Sequence, residues 1–554
     1  MLLCARAWAH PASITIGRRT DAPYTVWAMA WVARAFRTGQ SPLVTHALSW
    51  PGGVNLMTNA TVAGLGTVLA PVTWLWGPLV AFDVAATAAL ALTAWSAQVV
   101  LHRTGLVSWP AAAIGGLVAG FGPFSIAQQS GAHLHVTAAF LLPPLLLGLG
   151  RVVSGTTRYP GRWGVAIGAL AAIQLMIGEE MLAITAITAV VAIGVVAAFR
   201  FRVAWRATVQ ALAVAATVFM LMATWPLWVQ FAGTAHINGP IQHGSLYPND
   251  LAGFVTPSDH MWFTGGWVAR SFSSEGGIYL GIPLLVVAIA AVVRWWSEPL
   301  VKVAGVTTAV LAVLSFGDQL SIGGHPTGIP MPWDLVGHLP VLESLIPVRF
   351  GILVDLAAGA FLALALDTAA TRRHRRRREG RHFAAPRRSV RTVVAPIALG
   401  AACLVPIMPQ LPFPTSRWDI PALFRSPGSS GIPDNALILV GPYPAVTQPQ
   451  VEMWLAAAGD RWRSQGGAYF VPGPDGRVTI GGRAPLTAVI ETRIERGGRA
   501  APAEAPMVLA QLAEDRVDAV VIGPMANRAQ VLAFWSGLLG PPRVVGGVAV
   551  FKTP

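Results

Sequence analysis

About ten near-continuous apolar stretches, each close to the ~20 residues that a helix needs to cross a bilayer core, dominate this chain. They run over 78–101, 109–126, 132–150, 163–178, 181–198, 207–231, 277–293, 301–316, 350–366 and 392–408. Composition agrees: 54% of the 554 residues are hydrophobic and 12% are charged, against roughly 25% charged in soluble domains. A disordered chain, a coiled coil and a disulfide scaffold are excluded, the last because Cys4 and Cys403 are the only cysteines. The stretch 59–77 is apolar but shorter and interrupted by Pro71, so it either crosses or lies in the interface.

The links between spans set an orientation. Arg103, then Arg151, Arg158 and Arg162, then Arg200, Arg202 and Arg206, then Arg294 and Lys302 all fall on one side if the ten spans alternate. The densest basic block, within 371–391, falls there too. The positive-inside rule makes that side cytoplasmic. All but two of the 39 Lys and Arg residues are arginines, Lys302 and Lys552 being the exceptions. The formal charge of +14 is therefore read as arginine-rich cytoplasmic loops with no nucleic-acid partner. The opposite links are 127–131, the turn at Gly178, 232–275, 317–348 and everything after 409, and the polar chemistry collects there. Residues 1–20 hold no span-length apolar run and no signal-peptide core. This suggests that a first helix lies upstream of Met1.

The expected fold is an all-α polytopic membrane bundle of about 10–12 helices followed by a small extracytoplasmic α/β domain. Residues 1–58 form an N-terminal segment with an amphipathic helix, 59–409 the bundle, and 410–554 the α/β domain. In the last, 436–440 and 517–522 read as buried strands, 448–462, 507–515 and 526–539 as helices, and 469–480 and 543–551 as hairpins. Gly441-Pro442 and Gly523-Pro524 follow strands but form no dinucleotide fingerprint.

Several residues can carry chemistry. Asp21 precedes the helix that contains Tyr24, and it is either a helix cap with Pro23 in the first turn or a functional carboxylate. Arg349 lies at the outer mouth of a span, where an arginine snorkels to headgroups or binds a phosphate. Arg270 is a substitute in the loop before another span. His133 and His135 share no helix face, so they form a site only where the segment is not helical, and no third metal ligand is set by spacing. Glu179 and Glu180 occupy a tight turn between spans. They are an exposed turn, or the wall of a cavity binding sugar hydroxyls or a divalent ion. No cofactor is otherwise indicated. Asp83 and Asp355 fall inside apolar runs, as packing groups or cavity polar groups.

Asp21 before an aromatic-rich helix, then His46, Trp50-Pro51-Gly52-Gly53-Val54-Asn55-Leu56 and Asn59, then many spans and an outward C-terminal domain, resemble the GT-C class of membrane glycosyltransferases. The resemblance, of an actinobacterial-like kind, covers 21–408 in architecture. It implies a plasma-membrane enzyme that transfers a hexosyl or pentosyl group from a polyprenyl-phosphate donor to an extracytoplasmic glycan, lipid or protein. Asp21 would be the catalytic base. Arg349, His133, His135, Glu179, Glu180, Arg270 and Tyr24 would bind substrate. Many members carry paired acids in this loop, whereas Asp21 stands alone. The rival readings are a transporter or lipid flippase and an inactive scaffold of the same fold.

Overall fold

The computed structural model describes residues 2–19, 21–60, 62–242, 247–264, 275–378 and 391–553. The chain divides into two compact units: 86–223 with 242–413, and 2–85 with 224–241 and 414–554.

The first unit is a helical bundle. Among the described residues, seven helices are long and apolar enough to cross a membrane: Pro78–Arg103, Trp109–Ser130, Leu134–Val153, Pro160–Ile177, Glu179–Ala198, Trp205–Ala232 and Pro347–Ala369. The shorter apolar helices Ile282–Arg294, Pro299–Leu314 and Ala395–Ile407 occupy three further expected spans. The protein is a multi-pass membrane protein. The spans Pro78–Arg103, Pro160–Ile177 and Glu179–Ala198 show almost no apolar stripe, because both lipid and neighbouring helices are apolar and a segment apolar all round suits both.

Close crossings use small residues. A β-carbon on Gly115 would meet the Gly359 carbonyl oxygen at 2.6 Å, so helices Trp109–Phe121 and Gly351–Arg378 pack backbone to backbone there. The amide of Ser108 donates to Asp367 Oδ1 at 3.0 Å. The C-terminal half of that long helix therefore ends beside the Arg103 link, and its start at Pro347 lies at the other end of the bundle. The two long links are tied there by Asp250, whose Oδ1 accepts from the Gly323 amide and whose Oδ2 accepts from Gly324.

Asp355 is fully buried and acts across helices. The span Trp109–Ser130 breaks at Gly122, where Pro123 starts a second helix, Pro123–Ser130. Asp355 Oδ2 accepts from the Phe124 amide at 3.2 Å and the Ser125 amide at 3.5 Å, capping the new helix from a neighbouring one. Gly122 is required because a β-carbon there would run into that carboxylate.

The second unit joins the start of the chain to its end. Strand Ile14–Ile16 pairs antiparallel with Thr415–Arg417. Helix Ala22–Thr38 packs on Gln450–Ala457 and on the short helices Ala63–Val68 and Ala70–Trp76. Its buried positions run nearly all round, from Ala22 to Ala35. Phe36, in its last turn, is 49% exposed. Asp83, fully buried, accepts the Ile16 amide at 2.9 Å and so ties that first strand to the start of a span.

The α/β core is a five-stranded mixed sheet. Its strands are β1 (Leu437–Gly441), β2 (Arg463–Ser464), β3 (Ala519–Ile522), β4 (Arg543–Val545) and β5 (Val548–Lys552), in the order β4-β5-β3-β1-β2. β1 runs parallel to β2 and β3, while β5 pairs antiparallel with β3 and β4. β1 and β3 are buried along their whole length, as apolar central strands must be. Helices Leu486–Glu495, Glu504–Glu514 and Arg528–Leu539 contribute Ile490, Val508 and Trp535 to the core over this sheet. The first of these helices was not evident in the sequence pattern.

Candidate functional site

Among the described residues, a cluster of paired charges surrounds Arg349. Pro347–Phe350 is a tight turn that leads into the long helix at Gly351, and it buries the Arg349 side chain, which is 6% exposed. Its guanidinium grips Glu275 through two parallel bonds, Nε to Oε2 at 3.2 Å and Nη2 to Oε1 at 3.0 Å. Nη1 donates to Glu180 Oε2 and to His135 Nε2, the latter at 3.2 Å. Glu180 Oε1 in turn accepts the Ile346 amide at 2.8 Å, which pins the turn that carries Arg349.

A second layer orders Glu275. Gln128 Nε2 donates to Glu275 Oε2 at 2.8 Å and to the Glu275 carbonyl at 3.1 Å. Gln128 Oε1 pairs with His133 Nδ1 at 2.7 Å. An amide oxygen only accepts, so Nδ1 of His133 carries the proton. A guanidinium only donates, so Nε2 of His135 is the bare nitrogen facing Arg349. Both histidines reach the network because the segment is not one continuous helix. Ala132 takes a left-handed φ of 62°, and the single turn Leu134–Thr137 follows. The neighbouring span turns sharply at Gly178, where a β-carbon would strike the His135 carbonyl.

The electrostatics follow from burial and pairing. Desolvation alone would raise the Glu275 carboxyl, but the Arg349 guanidinium, then His133, hold it down at about 2. One guanidinium thus faces two buried carboxylates. This is a charged group of the kind that persists inside a low-dielectric region only when paired.

Four predicted residues, His133, His135, Glu180 and Arg349, are brought into this network. Glu179 starts the same helix as Glu180 and is half-buried. Arg270 lies outside the described residues. Asp21 and Tyr24 belong to the other compact unit. Asp21 occupies the N-cap position of helix Ala22–Thr38, and its carbonyl accepts the Thr25 amide at 3.0 Å, but its carboxylate makes no capping bond. The Tyr24 ring stacks on Tyr469 with centroids 4.4 Å apart, and its carbonyl accepts the Tyr469 hydroxyl. Two members of the network were missed as site residues. Glu275 closes the long link 232–275, just before an apolar run. Gln128 is uncharged and gave no signal. Among the described residues, no three His, Cys, Asp or Glu side chains are grouped to hold a metal ion.

No protein-family model and no curated protein matches the sequence. Solved structures do. Arabinofuranosyltransferase AftD from Mycobacteria aligns over 100% of this chain with a TM-score of 0.53 at 15% identity. The chain has a GT-C fold. It spans 39% of the length of AftD. ArnT from Cupriavidus metallidurans aligns at 11% identity over 100% of this chain and 97% of that one, with a TM-score of 0.48. The archaeal oligosaccharyltransferase AglB from Archaeoglobus fulgidus aligns at 11% identity over 92% of this chain and 66% of that one, at 0.45. In this chain the Arg349 network sits where spans end opposite the arginine-rich links, and those ends are made irregular by the breaks at Gly122, Ala132 and Gly178.

Proposed function

We propose that this chain is an integral membrane glycosyltransferase that moves a pentosyl or hexosyl group from a polyprenyl-phosphate carrier to an acceptor on the extracytoplasmic face. The observation that carries the reading is the buried network Glu180–Arg349–Glu275 with His133 and His135, built into the end of a GT-C bundle that lacks the basic links. The positive-inside rule makes that end extracytoplasmic.

The chemistry needs a base for the acceptor hydroxyl and donors for the departing lipid phosphate. Asp21 is the proposed base: it is the acid that heads helix Ala22–Thr38 near the start of the chain, where the resemblance to the GT-C class implies the catalytic carboxylate. Arg349 commits four N–H groups to Glu275, Glu180 and His135, so it offers a phosphate at most its remaining N–H. Its main role in this reading is to hold the turn 346–350, the Glu180 helix and Glu275 in one geometry.

The test uses the full chain in proteoliposomes with a panel of radiolabelled polyprenyl-phosphate sugars. Wild type is expected to transfer label. Asp21→Asn is expected to lose turnover by roughly 10²–10⁴-fold with unchanged insertion and thermal stability. Unchanged turnover in Asp21→Asn refutes the assignment of the base, and no transfer by wild type from any donor refutes the enzyme reading.

A further inference from the structure

Tyr469, in the α/β region, is fully buried, and its hydroxyl donates to the Tyr24 carbonyl at 2.5 Å across 445 residues of sequence. Its ring stacks on Tyr24 with centroids 4.4 Å apart and meets Trp27 edge-on at 5.1 Å. Tyr24 lies in the first turn of helix Ala22–Thr38, three residues after Asp21, and residues three apart share a helix face. The first amides of a helix have no partner within it, and the N-cap side chain does not bond them here. Tyr469 holds this turn from outside the helix.

Tyr469 is itself fastened on both sides. Glu452 Oε1 accepts the Ala468 amide at 2.6 Å. Asn59 accepts the Phe470 amide and donates to the Phe470 carbonyl, both at 2.9 Å. The Tyr469 carbonyl accepts the Gly481 amide at 2.8 Å. Glu452 belongs to helix Gln450–Ala457, which packs on helix Ala22–Thr38. A hydroxyl on a backbone locked in this way can impose a geometry on what it binds.

We propose that Tyr469 is a positioning residue for Asp21: its hydroxyl, clamped on the Tyr24 carbonyl, sets the angle at which the helix presents the Asp21 carboxylate to the acceptor. This rests on the reading of Asp21 as the base. It gives the α/β region a part in the reaction, since misplacing a reacting group by about 1 Å can cost about 100-fold in rate.

The test is Tyr469→Phe in the full chain, which keeps both ring contacts and removes only the hydroxyl. The Tyr24 carbonyl lies inside an α-helix, where the residue four further on supplies its ladder amide, so it is not orphaned. Hydrogen exchange in proteoliposomes is expected to quicken several-fold at 25–28, with helix Gln450–Ala457 and the thermal midpoint as in wild type. Turnover from the radiolabelled donor is expected to fall roughly 10–100-fold with the donor KM unchanged. In an Asp21→Asn background the same substitution is expected to cost nothing further, because residues that act as a unit are not additive. Unchanged exchange at 25–28 overturns the proposal whatever the turnover does. Faster exchange that spreads to 450–457, or a lowered midpoint, overturns it in favour of a fold-stabilising role. Losses that multiply in the double variant overturn it too. The two readings fail separately. Lost turnover in Asp21→Asn beside normal turnover in Tyr469→Phe leaves the base in place and removes the role of Tyr469. Normal turnover in Asp21→Asn removes the base, and the positioning role with it.

Discussion

Replacing Arg349 with methionine leaves Glu180 and Glu275 buried without their shared cation, and the cost follows from the geometry. Breaking a buried pair by removing one partner typically costs about 3–5 kcal/mol. A second route gives a similar figure. Glu275 is held at about 2 in the fold against an ordinary 4.5, a difference worth about 3 kcal/mol by linkage. Its carboxyl is lowered by folding, so this stabilisation is present above pH ~4.5 and disappears as pH falls toward 2. The share of the wild-type thermal midpoint that Glu275 supplies should therefore be constant from pH 8 to about 5 and be lost below. In Arg349→Met the sign reverses. With the guanidinium gone, burial alone acts on Glu275 and favours its protonated form, so the variant should be least stable at pH 8 and recover partly near pH 5. The triple variant Arg349→Met, Glu180→Gln, Glu275→Gln, which removes all three charges, should recover most of the loss at pH 8. Fluorescence-detected size exclusion after heating in detergent reads all three. An Arg349→Met midpoint equal to wild type at pH 8, or one that falls further at pH 5, refutes the account of this network.

Other consequences can be measured in the same preparation. Asp355→Leu removes the acceptor for the Phe124 and Ser125 amides and should destabilise by about 1–3 kcal/mol, while Asp355→Asn, which keeps an acceptor oxygen, should stay near wild type. Equal losses in the two would show that the cap is not what matters. Burial pushes the Glu491 carboxyl up to about 8 against the weaker opposing bond from Trp535, so the folded state keeps its proton and loses stability as pH rises from about 4.5 to 8. Glu491→Gln should flatten that slope, and an unchanged slope would assign it to other groups. Gly178→Ala should perturb the network through the His135 carbonyl, shifting His135 reactivity toward diethyl pyrocarbonate, and unaltered reactivity would contradict the close contact.

The spans and the α/β strands were legible because their signals are local. A run of apolar residues long enough to cross, or a five-residue buried strand such as 436–440, needs no partner to be recognised. Individual members of the network were legible for the same reason. Glu180, Arg349 and the two histidines are ionisable groups at the ends of apolar runs, which are costly places to put charge. Their association was not legible. It depends on the left-handed Ala132, the turn at Gly178 and the tight turn at Pro347, each a backbone departure at the end of an apparently regular helix. Asp355 makes the same point. As a lone acid in an apolar run it admitted two readings, and the choice depends on a break in a different helix.

Those breaks bear on how the chemistry is divided. A helix interrupted inside a membrane protein exposes amides that have no water to pair with. Here carboxylates meet them: Asp355 for Phe124 and Ser125, Glu180 for Ile346. Glu180 and Glu275 are further held by Arg349. A carboxylate kept at about 2 is a weak proton acceptor at neutral pH, because general-base efficiency rises as the pKa approaches the working pH. Glu275 is therefore poorly suited to deprotonate an acceptor hydroxyl, and using Glu180 would undo the bond that fixes the Arg349 turn. The acids of the network are committed to holding the broken helix ends. That favours a base from elsewhere in the chain, in keeping with the proposal of Asp21, which heads helix Ala22–Thr38.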